Sequence, residues 1–371
     1  MKITMFGHKR IPSREGGVEI VVEELSTRMA AMGHRVVCYN RGGHHVSGRE
    51  FDAKKHGEYR GVVLKQVPTL DKKGLAAVTS SFFAGLFSAF GHFDVVHIHA
   101  EGPAFMCWLP KLLGKRVIVT VHGLDWQREK WKGGFGAKYI RAGEKMAVRW
   151  ADQIIVLSRN VQQYFLDTYG RETVYIPNGV TKPEAGEADR ITELYGLQKD
   201  EYILFLGRLV PEKGIHYLME AYQQLHTDKK LVIAGGVSDT DAYVERLRRL
   251  AGDDARIVFT GFVQGQVLQE LYSNAYLYVL PSDVEGMPLS LLEAMSFGNC
   301  CLTSDIDECA SVLGNAGITF AKGDVADLTA KMQELCNKPQ LVDRYKQRVA
   351  DHVLRQYNWD EVTQKTLELY Q

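Results

Sequence analysis

The sequence predicts an α/β protein built from two doubly wound units. Three observations lead there. The chain has 371 residues, enough for two domains of about 150–200 residues each. Short apolar runs alternate with helical patterns along its whole length. Those runs, such as Val117-Ile118-Val119-Thr120-Val121, do not alternate apolar with polar. They suit strands covered on both faces, as in parallel sheets flanked by helices.

In order, strands are expected near 2–6, 35–40, 62–67, 94–98, 116–121, 153–157 and 173–176. A second set follows near 202–206, 230–234, 256–260, 276–280, 300–303 and 317–319. Helices lie between them. Pro177-Asn178-Gly179-Val180 and the polar stretch to Asp189 mark the break between the two sets. Domains of 1–180 and 181–357 result. The tail reads as two helical patterns, about 339–356 and 359–370, broken at Tyr357-Asn358-Trp359-Asp360. In open sheets of this kind, ligands bind outside the carboxyl ends of the strands.

Composition is that of an ordinary α/β protein, with 45% hydrophobic residues, 24% charged residues and 35 glycines. The net charge of zero conceals an asymmetry. Residues 1–180 hold 26 Lys and Arg against 16 Asp and Glu, whereas residues 181–371 hold 19 against 29. The first half therefore suits an acidic partner: a lipid surface, a phosphorylated acceptor or a nucleic acid. Mutual attraction of the halves explains the split equally. The six cysteines form no Cys-x-x-Cys pair and no metal-finger spacing, as expected in a reducing cytoplasm. Lys2–Phe6 opens directly as a strand, so no signal peptide is expected. No run reaches the ~18–20 apolar residues of a membrane span.

The most telling stretch is Glu285-Gly286-Met287-Pro288-Leu289-Ser290-Leu291-Leu292-Glu293. It follows a buried strand and runs into a helix expected over 288–297, with Pro at its start and Gly298 just past its end. Leu289, Leu291, Leu292, Ala294, Met295 and Phe297 make that helix apolar nearly all round, hence buried. Glu293 inside it needs a hydrogen-bond partner. Glu285 lies just ahead of the helix N-terminus, where the dipole favours an anion.

Three further segments carry chemistry. Arg14-Glu15-Gly16-Gly17-Val18 precedes an amphipathic helix. Its glycines form either a plain turn or a place where backbone N–H groups approach a phosphate. Gly207-Arg208-Leu209-Val210-Pro211-Glu212-Lys213-Gly214 follows a strand. Pro211 predicts a helix start with Lys213 in its first turn, a cation opposing the dipole. That makes sense if Arg208 and Lys213 clamp a diphosphate, where two fixed charges stabilise a leaving group without a metal. A solvated loop of mixed charge is the plain alternative. His122-Gly123 ends a strand, placed to bond a substrate hydroxyl or phosphate or to act as a base. His97 and His99 share a strand face with no third ligand nearby, which favours a structural or acceptor-site role over metal.

A basic face, Lys138, Arg141, Lys145 and Arg149, follows Lys130-Trp131-Lys132. A Phe-rich helix (Phe82, Phe83, Phe87, Phe90) follows Lys72-Lys73. Basic faces beside apolar residues suit an anionic membrane surface. Ordinary core and a solvated helix are the plain readings.

Taken together, Glu-x7-Glu after a strand, the Gly-Arg…Glu-Lys-Gly turn, the N-terminal Gly-Gly loop, His-Gly and Pro-Asn-Gly resemble glycosyltransferase family 4, in the family's order and over the whole chain. His122-Gly-Leu-Asp-Trp-Gln-Arg-Glu-Lys-Trp131 further resembles bacterial enzymes that assemble capsule, exopolysaccharide or O-antigen units. The resemblance implies a GT-B fold, two Rossmann-like domains facing across a cleft, with the final helix, 358–371, crossing back to the first. It implies a retaining, metal-independent transfer of a hexose or deoxyhexose from a nucleotide-diphosphate sugar. The acceptor would be a saccharide, lipid-linked rather than nucleic acid, at the inner face of the plasma membrane. Glu293 would accept from the ribose hydroxyls. Arg208 and Lys213 would hold the diphosphate, with room given by Gly16 and Gly17. Glu285 and the backbone of Gly286, Met287, Pro288 and Leu289 would hold the donor sugar, and His122 would contact it near the reacting carbon. No metal and no separate cofactor are implied. Asp307 departs from the pattern, standing where many relatives carry Pro. The rival readings are a nucleotide-sugar epimerase, a glycoside hydrolase using Glu285 and Glu293 as acid and base, and a two-lobed sugar-binding protein.

Overall fold

The computed structural model describes residues 1–43, 56–72, 74–127, 134–237 and 240–371. Lys73, Lys130, Trp131 and Lys132 lie outside the described residues. The chain divides into two compact units, Met1–Asn178 with Trp359–Gln371, and Gly179–Asn358.

The first unit contains β1 (Lys2–Phe6), α1 (Gly17–Ala31), β2 (Arg35–Arg41), β3 (His56–Tyr59), β4 (Val62–Val67), α2 (Leu75–Phe90) and β5 (Val95–His99). It continues with α3 (Trp108–Leu112), β6 (Arg116–Val121), α4 (Phe135–Trp150), β7 (Gln153–Val156), α5 (Arg159–Tyr169) and β8 (Val174–Tyr175). The sheet order is β3-β4-β2-β1-β5-β6-β7-β8. Every pairing is parallel except β3 with β4. The sequence pattern does not reveal β3. It is a short edge strand of four residues, His-Gly-Glu-Tyr, with no apolar run, held by a hairpin turn at Arg60-Gly61 that takes positive φ at both positions.

The second unit contains α6 (Arg190–Tyr195), β9 (Tyr202–Leu206), α7 (Ile215–Tyr222), β10 (Lys230–Ala234), α8 (Asp241–Ala251), β11 (Ile257–Gly261) and α9 (Gly265–Ser273). Then come β12 (Leu277–Leu280), α10 (Leu289–Ser296), β13 (Cys301–Ser304), α11 (Asp307–Leu313), β14 (Ile318–Phe320), α12 (Val325–Asn337) and α13 (Pro339–Gln356). Its sheet is wholly parallel, in the order β11-β10-β9-β12-β13-β14. Numbered from its own first strand, that is 3-2-1-4-5-6, the dinucleotide-binding winding, whose order reverses between β9 and β12. The first unit reverses likewise between β1 and β5.

Strands buried on both faces build both cores. Val117, Ile118, Val119 and Val121 of β6 are fully buried, as are Leu277, Tyr278, Val279 and Leu280 of β12. Cys300 and Cys301 are buried free thiols in the second core. The last helix, α14 (Trp359–Glu368), belongs to the first unit. Arg28 of α1 donates to Asp360 at 2.8 Å, and Arg116 donates to the Leu369 carbonyl at 2.7 Å.

Candidate active site

In the second unit, the loops leaving β9 and β12 meet at the switch point. The β9 loop makes a short 3-10 turn, Pro211–Lys213, closed by Gly214 at φ 64°. This corrects the expectation that Lys213 sits in the first turn of an α-helix. The left-handed Gly214 ends the 3-10 turn, and α7 begins only at Ile215. A Cβ at Gly214 would fall 2.0 Å from the Pro281 carbonyl oxygen, so only glycine lets the two loops lie this close. The Asp283 N–H donates to the Glu212 carbonyl at 2.8 Å and ties them together.

Held this way, Lys213 Nζ donates to Glu285 Oε1 at 2.5 Å, and Ser282 Oγ donates to the same oxygen at 2.6 Å. The two charged side chains are only 13% and 8% exposed. The ion pair was not legible in the sequence, where the two residues stand 72 positions apart. An ammonium has three donors, so Lys213 keeps capacity for an anion while Glu285 orients it. Arg208, half-buried, leaves β9 two residues after its end.

Gly286, Met287, Pro288 and Leu289 are buried and lead into α10, with Pro288 in extended conformation as its N-cap. The apolar positions of α10 are buried as expected, but Glu293 is half-buried rather than enclosed. Its partner is Tyr272 of α9, whose hydroxyl donates to Oε2 at 3.2 Å. Glu285 and Glu293 thus have separate partners. Second-unit residues Arg208, Lys213, Glu285, Gly286, Met287, Pro288, Leu289 and Glu293 all lie on two stretches, one after β9 and one after β12.

In the first unit, Gly16 is the N-cap of α1 and Gly17 its first residue. Gly16 is in ordinary extended backbone at φ −165°, so its conformation does not demand glycine. A Cβ there would meet only the tip of the Glu19 side chain, Oε2 at 2.6 Å. Glu19 in turn accepts from the Lys9 N–H at 2.8 Å.

His122 lies just past β6 and is 9% exposed. It is not a lone histidine. Its Nε2 is 3.1 Å from Nδ1 of His99, whose ring lies tilted against His97 at 4.2 Å between centroids. His97 is hydrogen-bonded to Tyr370 at 2.6 Å and to Thr120 at 2.7 Å. Burial removes the solvation a charged imidazole needs. It lowers His97 to about 3, with the neighbouring His122 adding to the fall. His99 is depressed in the same way, and His8, bonded to Asn40, falls to about 4. The sequence placed His97 and His99 on one face; what it lacked was His122, brought beside them by the β5–β6 pairing. Among the described residues, no group of three or more His, Cys, Asp or Glu is arranged to hold a metal ion.

On α2, Phe82, Phe87 and Phe90 are exposed, and on α4 Lys138, Arg141, Lys145 and Arg149 are all exposed. Among the described residues, no helix is long and apolar enough to cross a membrane.

Two Rossmann-like units, the second with a charged loop pair at its switch point, are the architecture with which the comparisons agree. Residues 15–182 match the model described as Glycosyltransferase Family 4, and residues 200–338 match that described as Glycosyl transferases group 1. The chain belongs to glycosyltransferase family 4, with the GT-B fold, and is a glycosyltransferase. An uncharacterised glycosyltransferase of Methanocaldococcus jannaschii is 23% identical over 100% of this chain and 98% of its own. The glycogen synthase of Mycobacterium tuberculosis is 26% identical over 100% and 94%. Among solved structures, sucrose-phosphate synthase of Thermosynechococcus elongatus superposes with a TM-score of 0.81 at 21% identity, covering 100% of this chain and 98% of that one. HepE of Anabaena, solved with UDP-glucose, gives 0.81 at 16% identity, covering 99% and 98%.

Proposed function

We propose that this enzyme moves a hexose or deoxyhexose from a nucleotide-diphosphate sugar to a saccharide acceptor, with retention of anomeric configuration and without a metal. The acceptor is a lipid-linked saccharide in cell-surface polysaccharide synthesis. The observation that carries the donor reading is the Lys213–Glu285 ion pair at the β9–β12 switch point. Dinucleotide-type sheets place phosphates there. Lys213 and Arg208 supply fixed positive charge to the departing diphosphate, and a preformed pair needs no reorganisation when that charge develops. Glu285 and the Gly286–Leu289 backbone take the sugar, Glu293 takes the ribose hydroxyls, and Gly16 and Gly17 leave room for the diphosphate. His122 is assigned a contact to the transferred sugar. Attack is on the front face, with the leaving phosphate helping to take the acceptor proton.

HepE was solved with UDP-glucose, which makes uridine diphosphate sugars the first donors to try. The test is a screen of uridine, guanosine and thymidine diphosphate sugars, with product configuration read by nuclear magnetic resonance. Transfer with retention, unaffected by chelators and lost in Arg208→Ala and Glu293→Ala, supports the reading. Full transfer in both variants sinks it.

The exposed phenylalanines of α2 and the basic stripe of α4 support peripheral attachment to an anionic leaflet on the cytoplasmic side. Vesicles of phosphatidylglycerol should bind the protein at low salt and release it at high salt. No binding at low salt would end that part of the proposal.

A further inference from the structure

Beside the histidines, the first unit encloses two carboxyl groups that the transfer chemistry does not use. Glu101 lies two residues past the end of β5, and Glu144 lies on α4; both are 0% exposed. They come together because of a glycine. A Cβ on Gly143 would fall 1.9 Å from the Glu101 carbonyl oxygen, so α4 reaches the end of β5 only with glycine there.

Each carboxyl holds one point of the segment after β6. Glu101 Oε2 accepts from the Asp125 N–H at 2.9 Å, and Glu144 Oε2 accepts from the Trp126 indole N–H at 3.3 Å. Arg141, one turn earlier on α4, covers a face of the indole at 4.3 Å. Glu144 Oε1 accepts from Tyr164 at 2.9 Å and also from Tyr169, both on α5. Burial and Glu144 hold both phenols well above their ordinary value, so they remain donors. The remaining oxygen, Glu101 Oε1, is fully enclosed, and no N–H or O–H donor among the described residues reaches it. The Glu144 carboxyl is the group beside it, and with burial it raises the Glu101 carboxyl.

Two carboxyls in hydrogen-bond contact, away from water, require a proton between them. We propose that Glu101 and Glu144 share one proton, and that the neutralised pair acts as a clamp positioning His122–Gln127, the segment that carries His122. Glu101 carries the proton. Burial first, then the hydrogen bond to Glu144 and the charge of Asp125, keep it protonated well above the ordinary carboxylate range. Glu144 stays the acceptor for two phenols and the indole. Loss of the shared proton as pH rises leaves two buried like charges facing each other, with Asp125 a third nearby. The clamp then opens and the indole loses its fixed acceptor. The catalytic part of this inference rests on His122 contacting the transferred sugar; the clamp itself does not.

Glu101→Gln is the decisive variant, because an amide mimics the protonated acid. It donates to Glu144 and still accepts from Asp125. The full-length protein is titrated from about pH 5 to about pH 10, reading Trp126 fluorescence as the difference from Trp126→Phe. The native protein should show an alkaline transition matched by a fall in kcat. Glu101→Ala should lower kcat by about 10-fold or more at neutral pH, with KM for the donor little changed. Glu101→Gln should restore kcat and abolish both the alkaline fall and the fluorescence transition. The proposal is overturned if Glu101→Gln keeps the transition, if it is as impaired as Glu101→Ala while melting like the native protein, or if the native protein shows no transition. Absence of transfer from every nucleotide sugar would sink the donor reading instead, and the fluorescence titration would still decide the clamp.

Discussion

The two units are wound alike, yet their switch points are equipped in opposite ways. Each has a glycine on the loop after its first strand pressed against a carbonyl at the end of the strand across its switch point. A Cβ on Gly7 would sit 2.0 Å from the His99 oxygen, and one on Gly214 would sit 2.0 Å from the Pro281 oxygen. Around Gly7 four buried groups are stripped of charge, His8, His97 and His99 toward neutral imidazole and Glu101 toward neutral acid, while Arg10 in the same loop stays paired with Glu15. Around Gly214 charge is retained and paired, Lys213 against Glu285. One backbone scheme thus supports a neutral hydrogen-bonded network in one place and an ionic cradle in the other. What differs is whether each buried group meets an opposite charge, because an unpaired buried charge neutralises rather than persists.

The contrast can be broken most severely at the ion pair. Lys213→Ala or Glu285→Ala leaves one charge nearly enclosed and unpartnered. Each should cost about 3–5 kcal/mol and reduce transfer by about 100-fold or more. The double variant should melt above either single variant while remaining inactive. Thermal melts and initial rates measure both, and a double variant no more stable than the singles would deny the coupling.

Next come the glycines. Gly214→Ala combines a 2.0 Å clash with a φ of 64°, and Gly7→Ala the same clash with a φ of 112°. Each should destabilise by about 1–3 kcal/mol or more, and hydrogen exchange should show the loss confined to its own unit.

Acid should separate the units further. An unfolded imidazole titrates near its ordinary value, whereas folded His97 and His8 do so only at about 3 and about 4. Between those limits the unfolded chain binds more protons, so stability conferred by the neutral histidines is full above about pH 6.5 and drains as pH falls. Glu101 has the opposite sign, weakening the fold as pH rises from the ordinary carboxylate range to its raised value. Hydrogen exchange at pH values from about 7 down to about 4 should loosen β5 and β6 before β9 and β12. His97→Gln should flatten that slope; an unchanged slope would show that the histidine is not its source.

The smallest effect is expected at Tyr272. Tyr272→Phe removes one donor to Glu293, worth about 1 kcal/mol. It should raise the donor KM severalfold with kcat nearly intact. An unchanged KM would detach Tyr272 from the ribose contact proposed for Glu293.

Much of this architecture was written locally. Apolar runs without alternation gave the parallel strands almost to the residue, and only β3 escaped, because an edge strand of His-Gly-Glu-Tyr buries too little to leave a hydrophobic period. The Pro288 start and Gly298 stop of α10 followed from conformational rules that act within a few residues. Candidate site residues were legible in kind: a buried-strand turn with Glu285, a basic turn with Arg208 and Lys213, a His at a strand end. Their relations were not. Nothing within the sequence near Lys213 names Glu285 as its partner, or Tyr272 as the donor to Glu293, and the clamp residues Glu101 and Glu144 stand 43 positions apart in unremarkable surroundings.

The chain by itself therefore determined the two doubly wound units and which short segments carry charge and glycine, since periodicity, turn chemistry and helix punctuation are local. Only the tertiary structure decided which groups keep their charge. That depends on what each meets when strands far apart in sequence are laid side by side. Lys213 meets a carboxylate and stays ionic. His97 meets a phenol and a second imidazole, and Glu101 meets another acid, so they lose their charge to desolvation.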